Sequence, residues 1–364
     1  MATAKKSAAT AAAAESTYLG ARISPHYCTL RVRAPEVMPP GVADKRARLI
    51  ATTASKWMNG STLRYAFMSG PTAQKDAVRS AFAEWKALGV GLSFVEVASV
   101  ASAQIRVAFD LTDGSWAYIG TDCLSIAANK STMNFGWDLT TPYGHSTALH
   151  EIGHALGFPH EHQNPFAGIV WNEEAVYASL GGPPNNWSRA KTLQNILSKI
   201  IADTVQGSKW DPNSVMHYQF EPGLILKPVK YKKGLTPKGG LSARDKTWVK
   251  SFYPPLPSGA SAKIALFQSQ PLKLDSGKQA NFDFIAPTAR EYTFRTFGVA
   301  DTKLLLARPA AVRGKAPTLL GHDDDSGHER NAELKVTLKK GERVQIKVRV
   351  RYVEKTGEAA LMVW

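Results

Sequence analysis

Residues 150–160 read His150-Glu151-Ile152-Gly153-His154-Ala155-Leu156-Gly157-Phe158-Pro159-His160. Histidines at i and i+4 share one helical face, so His150 and His154 can hold one ion a turn apart. Glu151 projects beside them, where a carboxylate can act on a metal-bound water. Gly157 has no Cβ and tolerates positive φ, so it can stop the helix and turn the chain back. His160 can then supply a third imidazole. Three protein nitrogens with an open fourth position is the arrangement of a catalytic zinc ion, whereas a structural zinc is closed by four ligands. A Zn2+ held by three neutral imidazoles is strongly Lewis acidic, and its water ionises near pH ~7. Glu151 would take that proton and later deliver it to the leaving group. No covalent intermediate is needed. Cys28 and Cys123 lack the surroundings of a nucleophile, and no Ser-His-Asp arrangement has comparable support.

A second motif lies downstream, Ser214-Val215-Met216-His217-Tyr218. A methionine turn following the three-histidine pattern is the metzincin combination. With Glu161 directly after His160, the chain resembles the bacterial type of the astacin family. Gly240-Leu241-Ser242-Ala243-Arg244-Asp245, followed by Phe252-Tyr253, is similar to the way astacin catalytic domains end. The resemblance covers about residues 55–253. It implies a zinc-dependent endopeptidase, a hydrolase cutting peptide bonds of extended protein substrates through a zinc-bound water activated by Glu151. It implies His150, His154 and His160 as the metal ligands and Met216 as an apolar base beneath them. Tyr218 matches the tyrosine that approaches the zinc and swings to stabilise the transition state. In the family pattern Glu161 pairs with the amino terminus of the processed chain; the alternative is a solvated carboxylate at a helix end. His145 and His162 lack ligand spacing and read as surface or packing residues.

The implied fold class is α+β. A metzincin catalytic domain carries a twisted mixed sheet with an antiparallel edge strand, a zinc helix and a lower subdomain, and an all-β sandwich follows it. Leu63 to Met68 reads as a strand, and Gln74 to Leu88 as a helix burying Ala77, Val78, Ala81, Phe82 and Trp85 at helical spacing. Leu92 to Val97 and Gln104 to Phe109 read as strands, Asp110 to Gly120 as a loop. Thr132 to Phe135 reads as a short strand, and the metzincin resemblance implies that such an edge strand pairs with an extended substrate backbone. Ser146 is the expected N-cap of the zinc helix, which runs to about Leu156. Gly181-Gly182-Pro183-Pro184 is a loop, and Trp187 to Ile201 is helical in pattern.

Pro254 to Ser261 is a Pro-rich linker, and residues 262–364 then change character. Phe282 to Ile285, Glu291 to Phe297, Lys303 to Ala307, Glu333 to Leu338 and Arg343 to Val350 are short strands, an all-β sandwich pattern. This part resembles the bacterial pre-peptidase C-terminal type of domain. Asp323-Asp324-Asp325 in a turn could bind Ca2+ through carboxylates, although no dedicated oxygen-ligand spacing is visible.

Residues 1–54 form an N-terminal extension or pro-segment, expected to be partly disordered. Its alanine run is too weakly apolar for a secretory leader. Cys28 precedes the catalytic domain, and a thiolate there could occupy the open zinc position and keep the enzyme latent; the bland alternative is an idle buried thiol. The chain has 364 residues, 44% of them hydrophobic, so it can bury two cores and is not a disordered chain. Its net charge of +15 is spread along the sequence without a nucleic-acid-binding motif, so nucleic acid is not an expected partner. No apolar run is long enough to span a membrane. Protein or peptide substrates are the expected partners, and the oligomeric state is not set. Secreted or extracellular action is expected, though no signal peptide is visible; a cytoplasmic enzyme, or one exported without a leader, is the alternative. Two rival functions fit the same motifs: a binding or adhesion protein whose zinc domain serves only self-processing, and a leaderless delivered protease toxin.

Overall fold

The structure is a computed structural model that describes residues 27–29, 31, 55–200, 210–255, 261–273, 278–298, 300–310, 317–324, 326–327, 331–352 and 358–364. Most of the N-terminal extension, residues 256–260 of the linker and Asp325 lie outside the described residues.

The alternation of apolar and polar residues in Thr62–Phe67 (β1) puts Leu63 and Tyr65 inside. Helix α1 (Thr72–Ala87) buries Val78, Ala81, Phe82 and Trp85, as its spacing predicts. Strands β2 (Ser93–Glu96), β3 (Ile105–Ala108), β4 (Trp116–Ala117) and β5 (Met133–Asn134) complete a sheet of order β2-β1-β3-β5-β4. It is parallel except for β4, which runs antiparallel to β5 with Trp116 opposite Asn134. The edge is therefore β4, inside the segment the sequence marks as a loop, and not residues 132–135, which are flanked on both sides.

Helix α2 (Pro142–Ala155) packs on α1, where the Trp85 indole N–H donates to Leu149 O at 3.1 Å. Its N-cap is Thr141, whose hydroxyl accepts from Gly144 N, and not Ser146. Pro142 explains the earlier start, because its fixed φ suits the first helical position and its missing N–H is no loss there. Ser146 lies in the second turn and accepts from Gly240 N at 3.0 Å. The other end of α2 is also tied down. The Trp57 indole donates to Ala155 O at 2.7 Å, and Tyr253, after helix α3 (Ala243–Phe252), donates to Leu156 O at 2.6 Å.

After the linker, two sheets face each other. One has the order β11-β10-β13-β8-β6 and the other β12-β9-β14-β7. Here β6 is Ala262–Lys263, β7 Gln270–Lys273, β8 Gln279–Ile285, β9 Arg290–Gly298, β10 Asp301–Arg308, β11 Thr318–Asp323, β12 Glu333–Leu338, β13 Arg343–Tyr352 and β14 Glu358–Val363. Phe282 opposite Ile346 and Phe284 opposite Val344 fix the central register. These residues, with Phe294, Leu304, Leu306, Val348 and Leu361, fill the inter-sheet core. The five strands legible in sequence are present. Those at 262–263, 270–273, 318–323 and 358–363 were not, being short or weakly alternating. Asp323 Oδ2 accepts from Ser326 N and Glu333 N, and Asp324 lies 3.7 Å from Lys303. The sandwich also grips residues 57–60. Arg349 donates to Trp57 O at 3.1 Å, Gln279 to Asn59 O at 2.8 Å and Lys347 to Gly60 O at 2.5 Å.

The chain divides into two compact units. Residues 28–168, 198–218 and 236–364 form one, and residues 1–27, 169–197 and 219–235 form the other. In the second, Val170–Trp171 pairs antiparallel with Ile225–Lys227, a helix runs over Glu173–Gly181, and a short helix over Arg189–Thr192 opens into a wider π turn at Leu193–Leu197. The helix expected over 187–201 is thus shorter. Ser188 caps its start, accepting from Lys191 N, and Ile200 has left the helical path. Ile201 lies outside the described residues.

Candidate metal centre

His150, Glu151 and His154 are buried on α2. Gly157, at φ 98°, reverses the chain, with Phe158 N bonding to Gly153 O at 3.0 Å. The reversal has two effects. It brings His160 Nε2 to 3.1 Å from His154 Nε2, and it returns the Phe158 carbonyl to His154 Nδ1 at 2.7 Å. His150 Nδ1 meets Val215 O at 2.7 Å. A carbonyl can only accept, so in both rings Nδ1 carries the proton and Nε2 turns its lone pair inward. The carbonyls of Phe158 and Val215 were not legible in sequence, because backbone atoms leave no residue-type signature.

The Met turn is anchored from α3. Asp245 accepts from Ser214 Oγ at 2.7 Å, Val215 N at 2.8 Å and Ser242 N at 2.9 Å, while its own N–H donates to Ser242 Oγ. The helix cap therefore holds the carbonyl that orients His150. The capping pattern in Ser242 to Asp245 signalled a helix start, but nothing local linked it to the site. Met216 is buried under α2, and its Sδ would lie 2.3 Å from a Cβ placed on Gly153, so only glycine admits it there. Glu161 is not a solvated carboxylate. Its Oε1 accepts from Asp211 N at 2.9 Å and Asn164 Nδ2 at 3.1 Å, and burial raises its pKa to about 7. His145 pairs with Glu84 at 2.9 Å, while His162 is buried and stacks on Tyr218.

Cys28 comes from far away in sequence to complete the cluster. Its Sγ lies 3.2 Å from His150 Nε2, 3.6 Å from His154 Nε2 and 3.2 Å from His160 Nε2. The Tyr218 hydroxyl lies 3.1 Å from the same sulfur, 2.6 Å from His160 Nε2 and 2.8 Å from Cys28 O, to which it donates. The flanking segment follows β4. Thr29 N donates to Ser115 O, Arg31 bridges to Tyr118 in parallel, and its guanidinium sits 3.7 Å over the Trp116 ring and pairs with Asp113 at 3.0 Å.

Among the described residues, Cys28, His150, His154 and His160 form the one cluster whose donor atoms all lie within 4.8 Å of one another. A tetrahedral zinc with ordinary bonds would hold nitrogens about 3.3 Å apart and sulfur about 3.6 Å from nitrogen, close to the distances found. The electrostatics agree. Burial lowers the pKa of all three histidines, that of His150 to about 4, so they are neutral and able to ligate. Burial also raises Glu151 and Cys28 well above their usual ranges. Both Glu151 oxygens are buried and accept no hydrogen bond from nitrogens or hydroxyls among the described residues, with the Cys28 thiol beside them. A buried carboxyl next to lone pairs that face each other is costly by itself and is relieved by a cation.

The family model described as Astacin (Peptidase family M12A) matches residues 49–176. A solved structure, "Structure of myroilysin", is 36% identical with TM-score 0.51, covering 55% of this chain and 96% of that one. A second, "Crystal structure of myroilysin", is 32% identical with TM-score 0.45, covering 62% and 90%. The pre-peptidase C-terminal domain of a collagenase from Bacillus anthracis is 14% identical with TM-score 0.24, over 30% of this chain and 98% of that one, too remote to carry an argument. No curated protein matches by sequence.

Proposed function

The chain belongs to the astacin family of zinc metallopeptidases and is a metalloendopeptidase, and on that premise we propose a latent enzyme in which His150, His154 and His160 hold the catalytic zinc. The observation that carries this reading is the convergence of three inward-facing Nε2 atoms beside the buried Glu151 carboxylate. A zinc ion bound there supplies Lewis acidity and eases the ionisation of water. Glu151 takes a proton from the attacking water and returns it to the nitrogen of the departing amine. The Tyr218 hydroxyl donates to the oxyanion that forms on the substrate carbonyl. The Val215 and Phe158 carbonyls keep two imidazoles in the ligating tautomer. An extended substrate pairs with the backbone of β4, which accounts for action on many sequences.

In the full chain this site is covered. The Cys28 thiol would be the fourth protein group on a zinc ion held there, and Tyr218, which must swing toward substrate, is held by the Cys28 carbonyl. Residues 29 and 31 lie along the edge a substrate would use. Removal of the N-terminal segment frees all three at once. Secretion is part of this reading; no helix among the described residues is long and apolar enough to cross a membrane. Nothing in the geometry favours the self-processing adhesion protein or the delivered toxin.

The test is digestion of an unfolded protein by the processed enzyme with and without a zinc chelator. The reading expects cleavage to stop on chelation and return with added zinc. Cleavage indifferent to chelation rejects it.

A further inference from the structure

The edge strand β4 carries a platform for a guanidinium group. Trp116 is buried, and its indole N–H donates to Asp113 Oδ2 at 2.8 Å, which fixes a carboxylate beside the ring. The loop that holds Asp113 is clamped from the neighbouring strand. Asn134, itself buried, donates from Nδ2 to Asp110 O and Gly114 O, and its Oδ1 accepts from Asp110 N at 2.8 Å. Inside the turn, Asp110 Oδ1 accepts from both the N–H and the hydroxyl of Thr112. None of these bonds involves the N-terminal segment, so the platform keeps its shape when that segment leaves.

In the full chain the platform is filled. The Arg31 guanidinium lies 3.7 Å over the Trp116 ring, and one of its nitrogens donates to both Asp113 oxygens, at 3.2 and 3.0 Å. The two side chains remain 37% and 47% exposed, so the ion pair alone adds little. The ring adds a contact that a planar cation makes better than an ammonium does. Arg31 stands three residues after Cys28, whose sulfur lies against the three imidazoles. Thr29 N donates to Ser115 O and Arg31 bridges Tyr118 in parallel, so the segment leaves the metal in the direction in which β4 runs. A substrate pairing with β4 in the antiparallel ladder, the slightly more stable of the two, crosses the platform before it reaches the metal. The side chain it presents there lies on the amino side of the bond that is cut.

We propose that Asp113 and Trp116 form a specificity subsite for an arginine side chain about three residues before the scissile bond, and that Arg31 occupies it in the latent chain. The substrate class is then extended peptides that carry arginine on the amino side of cleavage. This rests on the peptidase reading and adds to it the residues that select among peptides.

The zinc-loaded full chain carrying Cys28→Ser and Arg31→Ser, which leaves the platform open without cutting the chain, digests a peptide library, and cleavage sites are read by mass spectrometry. Arginine should be enriched about threefold or more at one position about two to four residues before the cut, and lysine less. Asp113→Asn, an exposed change that keeps an acceptor for the Trp116 indole, should abolish the enrichment. The same chain is titrated calorimetrically with N-acetyl-Thr-Leu-Arg-Val-amide and its Met counterpart, a readout that needs no turnover. The arginine peptide should bind about fivefold tighter or more, and Asp113→Asn should remove the difference. No arginine enrichment before the cut, equal binding of the two peptides, or a preference unchanged in Asp113→Asn overturns the proposal. Cleavage that survives zinc chelation rejects the peptidase reading instead, and the titration then still decides the subsite.

Discussion

The sulfur of Cys28 lies 3.2 Å from Nε2 of His150, across 122 positions of sequence. Under the proposed latency, that contact makes the thiol a cover for the metal site. Replacing it should uncover the site without cutting the chain. We predict that full-length Cys28→Ser cleaves an unfolded protein at least about tenfold faster than the full-length parent, since an exchange of thiolate for hydroxyl weakens a zinc contact. Equal rates and equal zinc content in the two proteins would remove Cys28 from the mechanism.

The Tyr218 hydroxyl donates to the Cys28 carbonyl at 2.8 Å, and under the proposed mechanism it turns to the substrate oxyanion once that segment is removed. Tyr218→Phe keeps the ring that stacks on His162 and loses the donor. In the processed enzyme kcat should fall about a hundredfold, with KM changed by less than about threefold, the signature of a group acting in the transition state. A change confined to KM would assign the tyrosine to substrate binding instead.

Asp245 does not touch the cluster, yet it holds Ser214 and Val215, and Val215 O orients His150. Asp245→Asn should weaken zinc retention about ten- to hundredfold, as loss of support behind a ligand does. Competition with a chelator of known affinity measures this directly. Unchanged zinc affinity in a folded variant would show that the Met turn stands without α3.

The parts of this site that were legible in sequence are those whose geometry is local. His150 and His154 are one turn apart, and Gly157 supplies the reversal that delivers His160, so eleven consecutive residues bring three imidazoles and a carboxyl group together. Met216 and Tyr218 were found because their motif has a fixed order. The edge strand Trp116–Ala117 has two residues, too few to show alternation in sequence. Thr141 and Ser146 are both capping residue types, and which of them caps depends on where Pro142 lets the helix begin. The grip of Arg349 on Trp57 spans 292 positions, and only the fold brings those residues together.

Lys56 gives the fold a pH dependence. It is buried against the Phe252 ring, 3.9 Å from its centroid, and burial, followed by the nearby Arg349 and Lys278, lowers its pKa to about 7. The unfolded chain holds that proton up to the ordinary lysine range, about 10.4, whereas the folded chain releases it near 7. The unfolded state therefore binds more protons in between, and this residue makes stability rise with pH from about 7 upward. Buried Cys123 and Tyr253, whose pKa values are raised, act in the opposite sense above about pH 9. Urea unfolding at pH 6 to 9 should show a rise that Lys56→Met flattens. An identical slope in the variant would contradict the assignment.

The central claim is that Glu151 moves the proton at a zinc site it does not itself build. The most direct measurement is zinc content and proteolysis of the processed Glu151→Ala variant, taken on one preparation. One equivalent of zinc should be retained while cleavage of an unfolded protein falls by about four orders of magnitude, the upper range for a general base. Retained zinc with cleavage near the parent rate would contradict the account.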